Sequence, residues 1–197
     1  MTRSASKERT TKETSISVRL DIDGPTGVVS ASTGLPFFDH MLDQLGRHGG
    51  FDLEVQATGD LHVDGHHTVE DVGITLGEVF REALGDKAGI RRFASGLYPL
   101  DEALVEVALD LSGRPFTAYD VPFGEVLPLG DPPFNPEMAE HFWQSFATAA
   151  GITLHVRLRE GRNTHHIVEA SFKGVARCLR DAVRVEGGGI PSTNGVV

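Results

Sequence analysis

Residues 64–71 read Asp64-Gly-His-His-Thr-Val-Glu-Asp71, and half a chain later residues 163–170 read Asn163-Thr-His-His-Ile-Val-Glu-Ala170. The two stretches share the pattern His-His-x-x-Glu, and both histidines and the glutamate recur after the same 99 residues. The match is longer than this motif, which separates a duplicated architecture from coincidence. The sequence therefore predicts one structural unit that is used twice.

Blocks ahead of the motif recur in the same order. Phe38-Asp-His40-Met41-Leu42 corresponds to Ala139-Glu-His141-Phe142-Trp143, and Val18-Arg-Leu-Asp21 corresponds to Val107-Ala-Leu-Asp110. In the first of these pairs of blocks, the third residue of each block is a histidine, His40 or His141. Each half thus carries three histidines and one glutamate in matched positions.

Composition restricts the classes of partner. The 197 residues carry a net charge of −10, which disfavours nucleic acid, because affinity for its backbone comes from Lys and Arg. Anionic small molecules remain possible where a few cations are concentrated locally. No apolar run approaches a membrane span and the N-terminal residues lack the apolar core of a signal peptide, so we expect a soluble cytoplasmic protein. The single cysteine, Cys178, falls on an apolar helical face and is predicted to be buried.

Local patterns predict the same elements in each half: a hairpin, a helix, a strand and a second helix. In the first half the predicted strands at residues 15–20 and 28–32 flank a turn signal, a helix follows at 37–48, and a long helix runs from the His pair to residue 84. Residues 120–136 are proline-rich and predict an insertion loop. We expect a flexible N-terminal arm (1–12), a first half-domain (13–95), a second half-domain (96–186) and a C-terminal tail (187–197). The fold class is α+β, a two-layer sandwich of duplicated half-domains.

The histidine pairs predict two metal ions rather than one. Neighbouring residues on a helix point about 100° apart, so adjacent imidazoles are badly placed for a single ion. Imidazole with carboxylate suits manganese, iron or zinc, and the lack of thiolates argues against a structural zinc site. The spacing leaves open which His partners which Glu, and whether the clusters form within one chain or across chains. The candidate ligands are His40, His66, His67, Glu70, His141, His165, His166 and Glu169.

Other candidates have simpler interpretations. His48, His62 and His155 have no histidine counterpart in the other half, so we interpret them as helix caps or satisfied core groups. Taken alone, Arg91 and Arg92 read as an exposed pair.

The motifs closely resemble those of imidazoleglycerol-phosphate dehydratases, enzymes of histidine biosynthesis, and the resemblance covers nearly the whole chain. It rests on Gly34-Leu-Pro-Phe-Phe-Asp-His-Met-Leu-Asp-Gln-Leu45, Asp64-Gly-His-His-Thr-Val-Glu-Asp71, Asp101-Glu-Ala-Leu104, Asp110-Leu-Ser-Gly-Arg-Pro115, Glu140-His-Phe142 and His165-His-Ile-Val-Glu169. The resemblance implies halves like domain 2 of ribosomal protein S5 and two Mn²⁺ ions per active site. It also implies a homo-oligomer of 24 subunits with active sites at subunit interfaces.

The implied reaction converts imidazole glycerol phosphate, a small phosphate ester, to imidazole acetol phosphate plus water. Two ions can hold the ring nitrogens and favour loss of the hydroxyl next to the ring. By resemblance the base that removes the proton from the adjacent carbon is Glu13, which the sequence alone would assign to a solvated tail. Phosphate contacts are implied for Arg92, Arg114, Lys173, Ser192, Thr193 and Asn194. The family tail reads Pro-Ser-x-Lys-Gly, and Asn194 stands here in place of its Lys.

Two other functions remain open at the level of the residues. A dinuclear metallohydrolase of phosphate esters would use the same ligands and release free phosphate. A non-catalytic, metal-bridged assembly protein would need the ligands but not Glu13, Arg92, Arg114 or Lys173.

Overall fold

The computed structural model describes residues 3–24, 27–124, 126–193 and 195, and these form six elements in each half. The first half contains β1 (Ser4–Thr10), β2 (Thr14–Asp21), β3 (Val29–Ser32), α1 (Pro36–Gly49), β4 (Asp52–Gly59) and α2 (His66–Leu84). The second half contains β5 (Phe93–Leu100), β6 (Ala103–Asp110), β7 (Phe116–Asp120), α3 (Met138–Ala150), β8 (Thr153–Glu160) and α4 (Thr164–Ala182). The order of strands and helices is identical, so the predicted duplication is confirmed.

Each half contains one four-stranded sheet, and the two sheets have the same topology. Their strand orders are β1-β2-β4-β3 and β5-β6-β8-β7. β2 runs antiparallel to β1 and β4, whereas β3 runs parallel to β4, and β5 to β8 repeat these directions. Alternate residues of β2 are buried, as expected of a strand with one face on the core.

Each half begins with a hairpin, as predicted, but both hairpins use strands other than those predicted. The segments predicted at residues 15–20 and 28–32 are both strands, yet β4 lies between them and β2 pairs with β1. In the second half, the segments predicted at residues 103–111 and 115–121 are both strands, yet β8 lies between them and β6 pairs with β5. The prediction that these segments pair is therefore wrong in both halves. β3 connects to β4 through α1, and a helical crossover lets the two strands lie parallel, which a tight turn cannot do.

The prediction of a flexible arm over residues 1–12 is wrong for residues 4–10, which form β1. This edge strand has mostly exposed side chains, so its sequence carries no hydrophobic period. Main-chain pairing with β2 holds it, together with ion pairs from Lys7 to Glu78 at 2.9 Å and from Arg9 to Asp71 at 2.8 Å. The predicted boundary after residue 95 also moves, because β5 already begins at Phe93.

The helices of one half pack on the helices of the other. α2 packs on α3 and α1 on α4, while α2 and α4 also cover their own sheets. Each half is thus the predicted two-layer unit, and one continuous core joins the two. The contact between α2 and α3 requires glycine, since a Cβ at Gly77 would lie 2.5 Å from the carbonyl oxygen of Phe146. This cross-pairing of helices decides which functional side chains meet.

The segment between β7 and α3 is a loop. The described residues between β7 and α3 contain no helix or strand longer than a single bridge, from Leu129 to Phe134, so the insertion loop is confirmed. Within the described ranges, no helix is both long enough and apolar enough to cross a membrane.

Candidate metal centre

Three predicted ligands converge where α1 packs on α4. His165 and Glu169 are four residues apart in the first turns of α4, so both side chains leave the helix on one side. His165 Nε2 lies 2.9 Å from Glu169 Oε2, and His40 Nε2 of α1 lies 3.5 Å from the same oxygen. One ligand atom of each residue lies within 4.8 Å of the others. Two imidazoles and a carboxylate at this spacing fit a shared divalent ion such as manganese, iron or zinc.

Glu169 is held as a carboxylate by its neighbours. Its side chain is 12% exposed, and Lys173 Nζ lies 2.6 Å from Oε1. Burial opposes ionisation of Glu169, but the hydrogen bond and charge of Lys173 outweigh it and hold the pKa of this carboxyl below its usual value. The group is therefore ionised at neutral pH and available as a ligand.

Two contacts fix the imidazoles of this cluster. Gln44 Nε2 lies 3.4 Å from His40 Nδ1. The ring of Phe37 meets the ring of His165 edge to face, with centroids 5.1 Å apart. Both rings thus have a contact in addition to the one with Glu169.

The duplication places a second cluster where α2 packs on α3. The rings of His66 and His141 lie with centroids 4.6 Å apart, at an interplanar angle of 63°. Glu70 follows His66 on α2 with the spacing that separates Glu169 from His165, and its side chain is exposed. Among the described residues, however, Glu70 does not join these imidazoles in a converged group of three ligands. The structure therefore brings together three candidate ligands in the first cluster and two in the second.

The second histidine of each pair points away from these clusters, as predicted. The rings of His66 and His67 are perpendicular, with centroids 6.3 Å apart, and those of His165 and His166 meet at 84° and 6.1 Å. Among the described residues, neither His67 nor His166 joins the converged group of His40, His165 and Glu169.

A carboxylate holds each of these second histidines. His67 Nδ1 lies 3.0 Å from Asp60 Oδ2, and His166 Nδ1 lies 2.8 Å from Glu102 Oε2. These hydrogen bonds raise the pKa of both imidazoles above the usual value. In return, the bond from His166 lowers the pKa of Glu102 to about 2, and the bond from His67 lowers the pKa of Asp60.

Sequence reasoning missed Asp60 and Glu102. Asp60 follows the last residue of β4, and Glu102 lies in the turn between β5 and β6. The duplication could have revealed Glu102, because the interval from Glu13 to Glu102 equals the interval from Val18 to Val107. No comparable signal marks Asp60.

Arg92 is a partly buried anchor for the C-terminal tail. Its Nε and Nη2 donate to the two carboxylate oxygens of Asp110 at 2.6 and 3.0 Å, and Nη1 donates to the main-chain oxygen of Pro191 at 2.6 Å. Only 12% of its side chain is exposed, so the interpretation of Arg91 and Arg92 as an exposed pair is wrong for Arg92. The bidentate contact with Asp110 is the geometry that guanidinium favours.

The other predicted phosphate ligands are dispersed. Arg114 is exposed just after β6, and its main-chain N–H donates to the hydroxyl of Ser112. Lys173 lies on α4 beside the first cluster. Ser192 and Thr193 follow Pro191 in the tail, and the prediction for Asn194 falls outside the described residues.

Arg92 and the candidate metal ligands of α4 lie at opposite ends of that helix. His165 and His166 are in its first turn, whereas the main-chain N–H of Arg92 bonds the carbonyl oxygen of Ala182, the last helical residue. At 1.5 Å per residue, His165 and Ala182 are about 25 Å apart. One chain therefore does not bring Arg92 to its own first cluster.

The residues interpreted as caps or core groups are only partly placed so, because His62 is exposed in the turn after β4. His48 is partly buried, and its pKa is lowered by burial and by the nearby charges of Lys173 and Arg177. His155 packs against the ring of Phe116 on the sheet. Cys178 is buried, as predicted, with its Sγ 3.1 Å from the hydroxyl of Tyr98, and burial raises the pKa of the thiol to about 11.

Comparisons with known proteins identify the family and the fold of this chain. The family model of imidazoleglycerol-phosphate dehydratase matches residues 33–179. The imidazoleglycerol-phosphate dehydratase of Parafrankia sp. strain EAN1pec is 54% identical, with 100% of both chains covered, and that of Acidothermus cellulolyticus is 56% identical over 99% of this chain and 93% of its own. A crystal structure of the Pyrococcus furiosus enzyme in complex with (S)-C348 has a TM-score of 0.82 at 35% identity, covering 97% of this chain and 100% of that one. A crystal structure of the Staphylococcus aureus enzyme has a TM-score of 0.82 at 32% identity, covering 92% and 99%.

Proposed function

Because this chain belongs to the imidazoleglycerol-phosphate dehydratase family, and is thus a hydro-lyase of histidine biosynthesis, we propose that it acts through two divalent metal ions. The ion that we propose is Mn²⁺. The observation that carries this proposal is the convergence of His40, His165 and Glu169 around one point. The substrate is imidazole glycerol phosphate and the products are imidazole acetol phosphate and water.

The chain offers ligands for both ions. His40, His165 and Glu169 would hold the first, and their counterparts His141, His66 and Glu70 would hold the second. His67 and His166 point away from these sites, so we assign them to ions held against neighbouring copies of the chain. When bound, the two ions would withdraw electron density from the imidazole ring of the substrate and stabilise negative charge on its nitrogens.

Glu13 is the residue to which we assign proton transfer. Its side chain is 55% exposed in the turn between β1 and β2, with Oε2 4.0 Å from His67 Nδ1. It lies beside His67, one of the candidate metal ligands, without a hydrogen bond to it, which leaves the carboxylate available to a substrate. General bases of this kind contribute roughly 10²- to 10⁴-fold to a rate.

The proposed step is an elimination of water from two neighbouring carbons of the substrate. The C–O bond of the hydroxyl next to the ring breaks, and Glu13 accepts the proton from the adjacent carbon. A double bond forms between these two carbons, and the hydroxide and the proton together make the water that is lost. The resulting enol then takes its ketone form, imidazole acetol phosphate.

Arginine and lysine side chains would bind the phosphate ester. We assign this role to Arg92, Arg114 and Lys173, with Ser192, Thr193 and Asn194 of the tail. Guanidinium groups suit this task because they bind phosphate oxygens through two parallel hydrogen bonds.

The geometry supports active sites at subunit contacts. Arg92 lies about 25 Å from the first cluster of its own chain, by the length of α4, whereas the substrate has only a three-carbon chain between its ring and its phosphate. A second copy must therefore supply Arg92 to each cluster if both contact one substrate. We propose a homo-oligomer, of 24 subunits by analogy with the family. In this assembly, Arg92 of one copy reaches the metal cluster of another copy.

A product assay tests the proposal and separates it from the two alternatives. Protein loaded with Mn²⁺ is expected to form imidazole acetol phosphate, with free phosphate at background. Release of free phosphate as the main product would favour a metallohydrolase. Assembly with metal but without turnover would favour a metal-bridged structural protein.

A further inference from the structure

The turn glutamates of the two halves are duplicated. Glu13 directly precedes β2 and Glu102 directly precedes β6. The interval between them equals the interval between Val18 and Val107 on those strands. The two carboxylates therefore occupy equivalent positions in the two halves, and each faces the second histidine of its own half.

These equivalent glutamates contact their histidines differently. Glu102 Oε2 lies 2.8 Å from His166 Nδ1, within hydrogen-bond range, whereas Glu13 Oε2 lies 4.0 Å from His67 Nδ1. In the first half Asp60 takes the corresponding place, 3.0 Å from His67 Nδ1. Each Nδ1 thus has one carboxylate partner, but the partner comes from a different element in each half.

Glu102 is firmly held, whereas Glu13 is not. The second oxygen of Glu102 accepts main-chain N–H groups of Asn163 at 2.7 Å and of Arg162 at 3.2 Å. The preceding residue, Asp101, has a φ of 49°, a left-handed conformation that costs a non-glycine residue energy and is often retained near functional sites. The turn therefore aims Glu102 at the loop before α4. Glu13 keeps an exposed carboxylate with its main chain tied to Thr11.

Within the described part of the chain, the other ring nitrogen of His166 has no hydrogen-bond partner. The nearest acidic atom to its Nε2 is Asp101 Oδ2 at 3.8 Å, beyond hydrogen-bond distance. An imidazole that donates Nδ1–H to a carboxylate presents the lone pair of Nε2, and such partners fix the orientation of metal-binding histidines.

We propose that Glu102 and Asp60 are positioning residues, which orient His166 and His67 so that each Nε2 faces a metal ion. The presence of Asp60 in the first half leaves the duplicated glutamate, Glu13, free for proton transfer. The two copies of one ancestral turn glutamate thus have different tasks. This inference rests on the proposed metal dependence.

Titration of the apo protein with Mn²⁺, followed by electron paramagnetic resonance of the free ion, tests the inference without using activity. Glu102→Gln and Asp60→Asn are each expected to weaken binding at one class of site by roughly 10- to 100-fold, the usual effect of removing such a partner. Glu13→Gln is expected to stay within about twofold of wild type. Glu106→Gln is the matched control, because Glu106 lies on the same hairpin and pairs with Arg159 on the sheet.

A double-variant measurement distinguishes positioning from a loss of folding. In a His166→Ala background, Glu102→Gln is expected to weaken Mn²⁺ binding no further, because its effect passes through His166. An additional loss of tenfold or more, or unchanged binding by the single variant Glu102→Gln, would overturn the inference alone. Failure of the wild-type protein to bind Mn²⁺ would overturn both the inference and the proposed metal dependence.

Discussion

His66 on α2 and His141 on α3 belong to different halves of the duplication, yet their rings lie with centroids only 4.6 Å apart. The packing of α1 on α4 likewise brings His40 of the first half to His165 and Glu169 of the second. Each cluster is therefore built from one helix of each half. Neither half would hold a complete site alone, which explains why the ligands recur as matched sets.

Removal of the metal should abolish turnover. Protein dialysed against a chelator is expected to lose dehydratase activity and to regain it on addition of Mn²⁺, with about two ions bound per chain. Metal analysis and the product assay check this together. Full activity in metal-free protein would contradict the proposed role of the ligands.

Replacement of the proposed base should affect chemistry rather than metal binding. Glu13→Gln keeps the size of the side chain but removes the proton acceptor, so kcat is expected to fall by roughly 10²- to 10⁴-fold. Metal content and assembly should remain as in wild type, because Glu13 has no hydrogen bond to His67. Retained turnover would remove Glu13 from the mechanism.

Arg92 should matter far more to substrate binding than its neighbour. Arg92→Ala is expected to raise KM at least about tenfold, since a hydrogen bond to a charged group contributes about 1.5–3 kcal/mol and 1.4 kcal/mol corresponds to a factor of ten. Arg91→Ala is the matched control, because Arg91 is exposed and its guanidinium lies 4.0 Å from Glu186. Equal effects of the two variants on KM would argue against phosphate binding by Arg92.

Position 194 offers a gain-of-function prediction. The family tail carries Lys where this chain has Asn194, so a cation for the phosphate is missing at that place. Asn194→Lys is expected to lower KM for imidazole glycerol phosphate, measured by initial rates at saturating Mn²⁺. An unchanged or higher KM would show that the tail does not contact the phosphate there.

Cys178 should be unreactive in the native protein. Burial raises the pKa of its thiol from 9.0 to about 11, so at pH 8 the reactive thiolate is about a hundredfold scarcer than for an ordinary cysteine. Labelling with a thiol reagent is expected to be at least that much slower in folded protein than in urea. Comparable labelling rates would contradict the packing of Cys178 against Tyr98.

The sequence was sufficient for the helices that carry the candidate ligands. The His-His-x-x-Glu motif has helical spacing and recurs in register, so α2 and α4 could be predicted with their functional faces. β1 could not, because an edge strand needs no buried side chains and shows no period. The pairing of α1 with α4 could not either, because spacing along the chain does not specify which helices pack together.

The supporting carboxylates escaped prediction for a related reason. Asp60 and Glu102 are ordinary acidic residues at strand ends, where such residues are common. Their proposed role depends on a contact with an imidazole. The imidazole is that of His166 for Glu102, far away in sequence, and that of His67 for Asp60, across a loop. Only the folded chain shows these two contacts.

Anomalous X-ray diffraction from crystals grown with Mn²⁺ is the most direct test of the central claim, that each metal site joins one helix of each half. We predict a manganese peak bound by His40, His165 and Glu169, and a second bound by His141, His66 and Glu70. Peaks that joined His40 to His66 and Glu70 of its own half, or an absence of peaks at both clusters, would contradict it.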